Sequence, residues 1–243
     1  MRSSRSAPDP LFAGAAGFAH RGLHGPGVCE NSLASVRAAI DADVGIECDL
    51  RLSRDGFAMV FHDSGLERLC GVRVEAESLH AAALMQFRLA GSDERIPWLG
   101  DLLALVEGRV PLLLELKRRA GGTTPIEHLC RATLNALRGY RGPVGVMSFD
   151  PRAPAWLARH APDVRRGLVI GERLAAIKRW SAMQLADPQF LSVHRAALDQ
   201  PWVARARRRM PVTSWTIRNA AERRAAEPHA DVLIWEADGR PRA

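Results

Sequence analysis

Residues 44–51 read Val44-Gly45-Ile46-Glu47-Cys48-Asp49-Leu50-Arg51. The run is apolar enough to form a β-strand, and its two carboxylates stand two positions apart. Side chains alternate across a strand, so Glu47 and Asp49 share one face while Cys48 points away from them, into the wall. In a central strand that face is an interior, where two carboxylates repel strongly unless a cation sits between them. A second run, Val110–Lys117, ends in Glu115-Leu116-Lys117 and would bring a third carboxylate beside the first two.

Similar apolar runs recur on either side. Candidate strands are Gly17–His20, Val44–Arg51, Val110–Lys117, Val144–Ser148, Arg166–Ile170, Phe190–His194, Val212–Thr216 and Val232–Trp235. Between them the pattern turns helical, over Ser32–Ala42, Leu99–Glu107, Pro125–Arg138, Pro151–Ala161, Leu174–Leu185, Gln200–Arg209 and Ala220–Glu227. That alternation predicts βα units on a parallel sheet, and eight strands are the number that closes an α/β fold into a (β/α)8 TIM barrel. Asn31-Ser32 supplies an N-cap for the first helix. About sixty residues separate the second candidate strand from the third, far more than a βα connection needs. Within them Phe57–Phe61 reads as an extra extended segment after the turn Arg54-Asp55-Gly56. The stretch from Gly65 to about Arg95 reads as a small inserted subdomain after strand 2, over the barrel mouth. With no linker, repeat or low-complexity tract, residues 1–243 read as one domain.

Composition excludes several classes. The chain is 47% hydrophobic and 25% charged, the balance of a soluble globular protein. No run approaches the ~20 apolar residues that cross a bilayer, so stable membrane insertion is not expected. Met1–Gly17 imitates a signal peptide, but its apolar patch is short and runs straight into His20-Arg21-Gly22; a cytoplasmic protein is expected. Cys29, Cys48, Cys70 and Cys130 lack zinc-type spacing and read as reduced thiols. The net charge of +7 is carried almost wholly by scattered arginines. No aromatics interleave with them, which argues against nucleic acid, while a positive field would attract an anionic substrate.

An all-oxygen cluster of Glu47, Asp49 and Glu115 suits Mg²⁺ or Ca²⁺ better than zinc. The competing reading of any one of them is a buried ion pair with an arginine. His20 closes the first strand and His62 follows the extra one. Two imidazoles titrating near neutrality can divide the delivery and removal of protons at a phosphodiester. Arg21 offers a fork of donors to phosphate oxygens, and Lys117 a point charge that could instead pair with Glu115 across strands. His24, His80, His128, His160 and His229 read as structural.

His20-Arg21-Gly22, Glu30-Asn31-Ser32, Ile46-Glu47-Cys48-Asp49-Leu50, Asp55-Gly56, Phe61-His62-Asp63 with Leu66 and Arg68, and Leu114-Glu115-Leu116-Lys117 together resemble the glycerophosphodiester phosphodiesterase family, of the PLC-like phosphodiesterase TIM-barrel superfamily. The likeness extends to Ser148-Phe149-Asp150 and Ser214-Trp215-Thr216. The resemblance implies a metal-dependent hydrolase that releases sn-glycerol 3-phosphate and an alcohol. It also implies Mg²⁺ or Ca²⁺ on Glu47, Asp49 and Glu115, with His20 and His62 as acid and base. Arg21 and Lys117 match phosphate-contacting cations. Glu30 and Asn31 match a supportive loop beside the site. Phe149 and Trp215 match positions that either lie against the glycerol carbons or simply pack the barrel.

Attack by the glycerol 2-hydroxyl through a cyclic phosphate, or directly by water, are both open. The partner is then a small glycerophosphodiester, with the chain a monomer or weak homodimer. Two alternatives remain: a lysophospholipase D-like enzyme acting on lysolipids or N-acyl glycerophosphoethanolamine, with leucines of the insertion as acyl path or local core, and an inactive phosphate-binding barrel. The family commonly ends its last strand in Thr-Asp or Thr-Asn followed shortly by proline; here the segment is Ile234-Trp235-Glu236-Ala237-Asp238-Gly239-Arg240-Pro241. Trp235 is expected at the barrel rim, where its bulk would alter the eighth loop. Cys29 replaces a frequent proline.

Overall fold

A computed structural model describes residues 9–13, 16–118 and 124–241. Residues 1–8 and 14–15 of the leader-like stretch lie outside the described residues. The strands are β1 Phe18–Ala19, β2 Gly45–Leu52, β3 Ala58–Val60, β4 Leu112–Leu116, β5 Val144–Ser148, β6 Arg165–Ile170, β7 Phe190–His194, β8 Val212–Ile217 and β9 Val232–Trp235. All but β3 run parallel and close into a ring, because β1 pairs with β2 on one side and with β9 on the other. β3 lies antiparallel along the end of β2, with Leu50 opposite Val60. The helices are α1 Leu33–Asp41, α2 Glu67–Cys70, α3 Ala81–Leu84, α4 Leu99–Val106, α5 Ile126–Ala136, α6 Arg152–His160, α7 Ala176–Ala186, α8 Pro201–Arg207 and α9 Ala220–Ala226. The predicted (β/α)8 barrel is therefore present, with ends moved by one or two residues: Val110–Lys117 narrows to β4, whose start follows Pro111, a residue with no N–H for the ladder. Among the described residues no helix is long and apolar enough to cross a membrane.

Alternation sends the strand side chains to two cores. Ile46, Cys48, Leu50, Leu112, Leu114 and Leu116 face outward and pack with Val36, Leu102, Val106 and Leu129 of the surrounding helices. Leu113, Met147, Val169, Val232 and Ile234 face inward with Phe18 and Phe190, and Leu11 joins them from the N-terminal segment. Phe12 adds an edge-on contact to Phe190 at 5.3 Å between ring centroids. The ring of Phe190 needs an absence beside it: a Cβ on Gly167 would lie 2.3 Å from that ring. The bottom of the barrel is thus a packed apolar plug, each fully buried side chain worth roughly 1.5–3 kcal/mol. The next inward positions toward the C-terminal ends belong to the carboxylates, since Glu47 follows Gly45 on β2 and Glu115 follows Leu113 on β4.

Between β3 and α4 the chain folds around a third apolar cluster. Leu66, Leu69, Leu84, Leu89 and Ile96 are buried there against Met59 and Phe61. Of the residues weighed as an acyl path or a local core, Leu66, Leu69 and Leu84 are buried in this cluster, and Leu79, Met85 and Phe87 pack half-buried against it. At the start of α1 the cap is Ser32 rather than Asn31: its Oγ accepts from the Ser35 N–H at 3.0 Å and donates to the Cys29 carbonyl at 2.7 Å. That leaves the Asn31 side chain free for the barrel interior.

Candidate active site

Strand period and register bring the carboxylates together. Glu47 and Asp49 share the inner face of β2, and Glu115 lies opposite Asp49 on β4. All three are buried, and one oxygen of each lies within 4.8 Å of those of the other two. Burial, then the charges of Asp49 and Glu115, push Glu47 well above the usual carboxylate range. Burial also raises Glu115, to about 7, against the pull of Lys117. For Asp49 burial acts the same way, but Lys117 and Arg21 outweigh it and hold this carboxyl below its ordinary value. Lys117 Nζ stands 2.5 Å from Glu115 Oε1 and 3.1 Å from Asp49 Oδ1. One ammonium thus serves two buried carboxylates, and oxygens with more than one lone pair each keep acceptor capacity beyond it. Three hard oxygen donors that repel one another at this range fit a divalent Mg²⁺ or Ca²⁺ ion.

Each predicted histidine is backed by a carboxylate at Nδ1. For His20 the partner is Glu236 Oε2 at 2.6 Å, and for His62 it is Asp63 Oδ1 at 2.7 Å. A carboxylate only accepts, so each Nδ1 carries the proton and each Nε2 keeps its lone pair. His20 Nε2 is 4.0 Å from Glu47 Oε2, at the carboxylate cluster. Burial lowers the pKa of both rings, with Glu236 opposing at His20 and Asp49 opposing at His62. Both imidazoles are held toward the neutral form.

The cations and the first loop form one continuous network. Arg21, at φ 56° before Gly22, donates Nη1 to Glu30 at 2.7 Å and sets Nε 3.2 Å from Asp49 Oδ2. Gly22 is required beside it, since a Cβ there would meet Ser35 Oγ at 2.3 Å and its φ is +78°. Asn31 Nδ2 donates to Asp49 Oδ2 at 2.9 Å, and the Arg21 backbone N–H donates to Glu47 Oε2 at 3.1 Å. Arg68 of α2 then links Glu30 to Asp63, with bonds of 2.7 and 2.6 Å. Asp49 and the His62 partner Asp63 are therefore oriented by other side chains, and Glu47 by a backbone N–H. His20, Arg21, Glu47, His62, Glu115, Lys117, Phe149 and Trp215 line a single cleft of about 130 Å³. Phe149 and Trp215 meet edge to face at 5.4 Å on one wall, and Lys117 Nζ lies 5.7 Å from the Phe149 ring.

Sequence reasoning overlooked Glu236, Asp63 as a histidine partner, and Arg68 as the link from Asp63 to Glu30. It also misplaced Trp235. That side chain is buried outside the barrel, in the layer shared with Leu233, and its Nε1 donates to the Ala16 carbonyl at 2.6 Å. The rim position goes instead to Glu236, one residue later and on the opposite face. Alternation along β9 could have located both. His24, read as structural, stands with its Nε2 3.7 Å from Glu236 Oε2, beyond hydrogen-bond reach.

Comparison with known proteins places these features in context. The model of the Glycerophosphoryl diester phosphodiesterase family matches residues 20–236. The chain is 29% identical over 177 residues to the uncharacterized protein YqiK of Bacillus subtilis, covering 68% of this chain and 70% of that one. Among solved structures, a phosphodiesterase of Oleispira antarctica in complex with the product sn-glycerol-3-phosphate is 24% identical, with TM-score 0.76 over 90% of this chain and 91% of the other. A glycerophosphodiester phosphodiesterase of Thermotoga maritima is 22% identical, with TM-score 0.73 over 90% and 92%. Both share the barrel.

Proposed function

This chain belongs to the glycerophosphoryl diester phosphodiesterase family, and on that premise we propose that it hydrolyses glycerophosphodiesters to sn-glycerol 3-phosphate and an alcohol, by proton transfer through His20 and His62. One observation carries the reading: two carboxylate-backed imidazoles line one cleft with Glu47 and Glu115, and Asp49 converges with those two carboxylates to within 4.8 Å. Glu47, Asp49 and Glu115 would hold Mg²⁺ or Ca²⁺, whose chemistry is to neutralise phosphate charge and acidify a hydroxyl. The remaining work falls to the chain's own groups. Arg21 and Lys117 approach the phosphate oxygens from opposite walls. One imidazole takes the proton of the attacking oxygen at its Nε2, and the other, protonated, gives a proton to the departing alcohol. Asp63 and Glu236 hold the rings in the tautomer that makes this exchange possible. Phe149 and Trp215 offer apolar faces to the glycerol carbons.

A second reading keeps this chemistry and enlarges the alcohol. A groove of about 540 Å³ runs from Glu115 and Lys117 past Phe149 to Leu185, where an acyl chain of a lysolipid could lie. Release of sn-glycerol 3-phosphate from glycerophosphocholine and from a lysolipid, each with EDTA or with added Mg²⁺ or Ca²⁺, tests both. Turnover that stops in EDTA and returns with either cation is the expected result. Full activity in EDTA removes the carboxylates from the mechanism, and faster turnover of the lysolipid favours the second substrate class.

A further inference from the structure

Beside the cleft lies a donor set that the hydrolytic reading does not use as one. His20, His24 and Glu236 each offer one ligand atom within 4.8 Å of the other two, with His20 Nδ1 at 2.6 Å and His24 Nε2 at 3.7 Å from Glu236 Oε2. His20 and Glu236 follow β1 and β9, neighbours whose pairing is extended by the bond from the His20 N–H to the Trp235 carbonyl at 2.8 Å. His24 is held in the adjoining turn, its N–H donating to the Gly22 carbonyl at 3.0 Å. The set therefore sits on the closing seam of the barrel rather than on a loop tip.

Its chemistry differs from that of the carboxylate cluster. His24 Nε2 is buried and lacks a hydrogen-bond partner. Arg218 Nε holds Glu236 Oε1 at 2.7 Å, which turns Oε2 toward both rings as an outer-shell partner does, although its charge also opposes a cation. Two imidazoles and one carboxylate, with a fourth position open, is a set that zinc favours and that Mg²⁺ or Ca²⁺ does not. Donors in a tetrahedral zinc site stand roughly 3.3 Å apart for bonds of about 2.0–2.1 Å. The contacts of 2.6 Å from His20 and 3.7 Å from His24 to Glu236 bracket that spacing.

We propose that His20, His24 and Glu236 bind a Zn²⁺ ion, at a site separate from the carboxylate cluster, and that the bound ion inhibits the enzyme. On binding, the zinc takes the lone pair of Nδ1 of His20, and the proton that sat there moves to Nε2. No proton is lost, but the ring can no longer accept one in the cleft. Glu236 simultaneously gives up its bond to His20. The inhibitory part rests on the proposed hydrolysis; the binding does not.

The test is titration of the full chain with Zn²⁺ by calorimetry in excess Mg²⁺, with Co²⁺ as a visible-absorption probe of the same site. Wild type is expected to take up one tight equivalent. His24→Ala and His24→Asn should each weaken it at least about tenfold, a loss typical even of an outer-shell partner, and move the zinc inhibition curve by a similar factor. Asp49→Asn should retain the uptake. No uptake by wild type, uptake unchanged in both His24 variants, or uptake abolished by Asp49→Asn would each overturn the site. Zinc binding that depends on His24, in a chain that hydrolyses no glycerophosphodiester, would sustain the site and remove the hydrolytic reading alone.

Discussion

Glu236 serves two hydrogen-bond partners, His20 Nδ1 at 2.6 Å and Arg218 Nε at 2.7 Å, with the His24 ring beyond reach at 3.7 Å. The bond from His20, first of all, holds its carboxyl well below the ordinary range, so it stays an acceptor at any working pH. An amide there would present N–H groups as well and could stabilise the wrong His20 tautomer. Glu236→Gln is expected to lower kcat roughly 10²-fold, with KM little changed, in steady-state assays; removing the proposed proton carriers outright, by His20→Ala or His62→Ala, should cost roughly 10²-fold or more each. A variant at near wild-type turnover would take that residue out of proton transfer. The histidines and the three clustered carboxylates were legible because each sits at the end of an apolar run, where period-two alternation settles its face. Glu236 was not, because its partner lies 216 positions away and meets it only through closure of the barrel. Lys117 illustrates a different limit. Sharing a face with Glu115 was readable, yet only the β2–β4 register shows that its ammonium also reaches Asp49.

At the scale of elements the barrel divides its tasks between its two ends. The N-terminal end is filled by Phe18, Phe190, Leu113 and Leu11, and the C-terminal end holds the polar cleft, the division expected of this architecture. Gly167 belongs to the first end. A methyl group there would overlap the Phe190 ring, and overpacking of this kind costs about 1–3 kcal/mol. Gly167→Ala should therefore lower the unfolding free energy measured in urea by that much, while leaving kcat close to wild type. A large loss of kcat at preserved stability would contradict the separation. Strands could be read from sequence because buried parallel strands are nearly continuous apolar runs. The stretch between β3 and α4 could be recognised only as extra length. Its helices α2 and α3 span four residues each, too short to give a helical period, and their order comes from the Leu66–Leu84–Ile96 cluster.

For the whole molecule, the carboxylate cluster couples folding to protons and, through the proposed ion, to divalent cations. Glu115 moves from 4.5 to about 7 on folding, chiefly through burial. A carboxyl raised in this way adds stability in full below its unfolded value, and that stability is lost as pH rises through the folded value. The metal-free protein thus gives up the Glu115 contribution between about pH 4.5 and 7, and Glu47, raised by the same burial, acts in the same sense. His20 and His62 are lowered, so their contribution is present above about 6.5 and lost as pH falls. A cation bound beside them would lower both rings further, so this term too makes the cation's increment grow with pH. A divalent cation favours only the ionised carboxylates and must displace protons to bind, so its stabilising increment grows with pH. At a concentration about a hundredfold above Kd the increment is about 2.7 kcal/mol, or roughly 5–10 °C in Tm for a chain of this length. Scanning calorimetry with saturating Mg²⁺ or Ca²⁺ should show that shift near about pH 8 and a clearly smaller one near about pH 5.5. In Glu115→Gln the metal-free Tm at about pH 8 should rise, because the buried charge is gone, and the cation should add little. An increment equal at both pH values, or undiminished in Glu115→Gln, would mean that the ion binds away from this cluster.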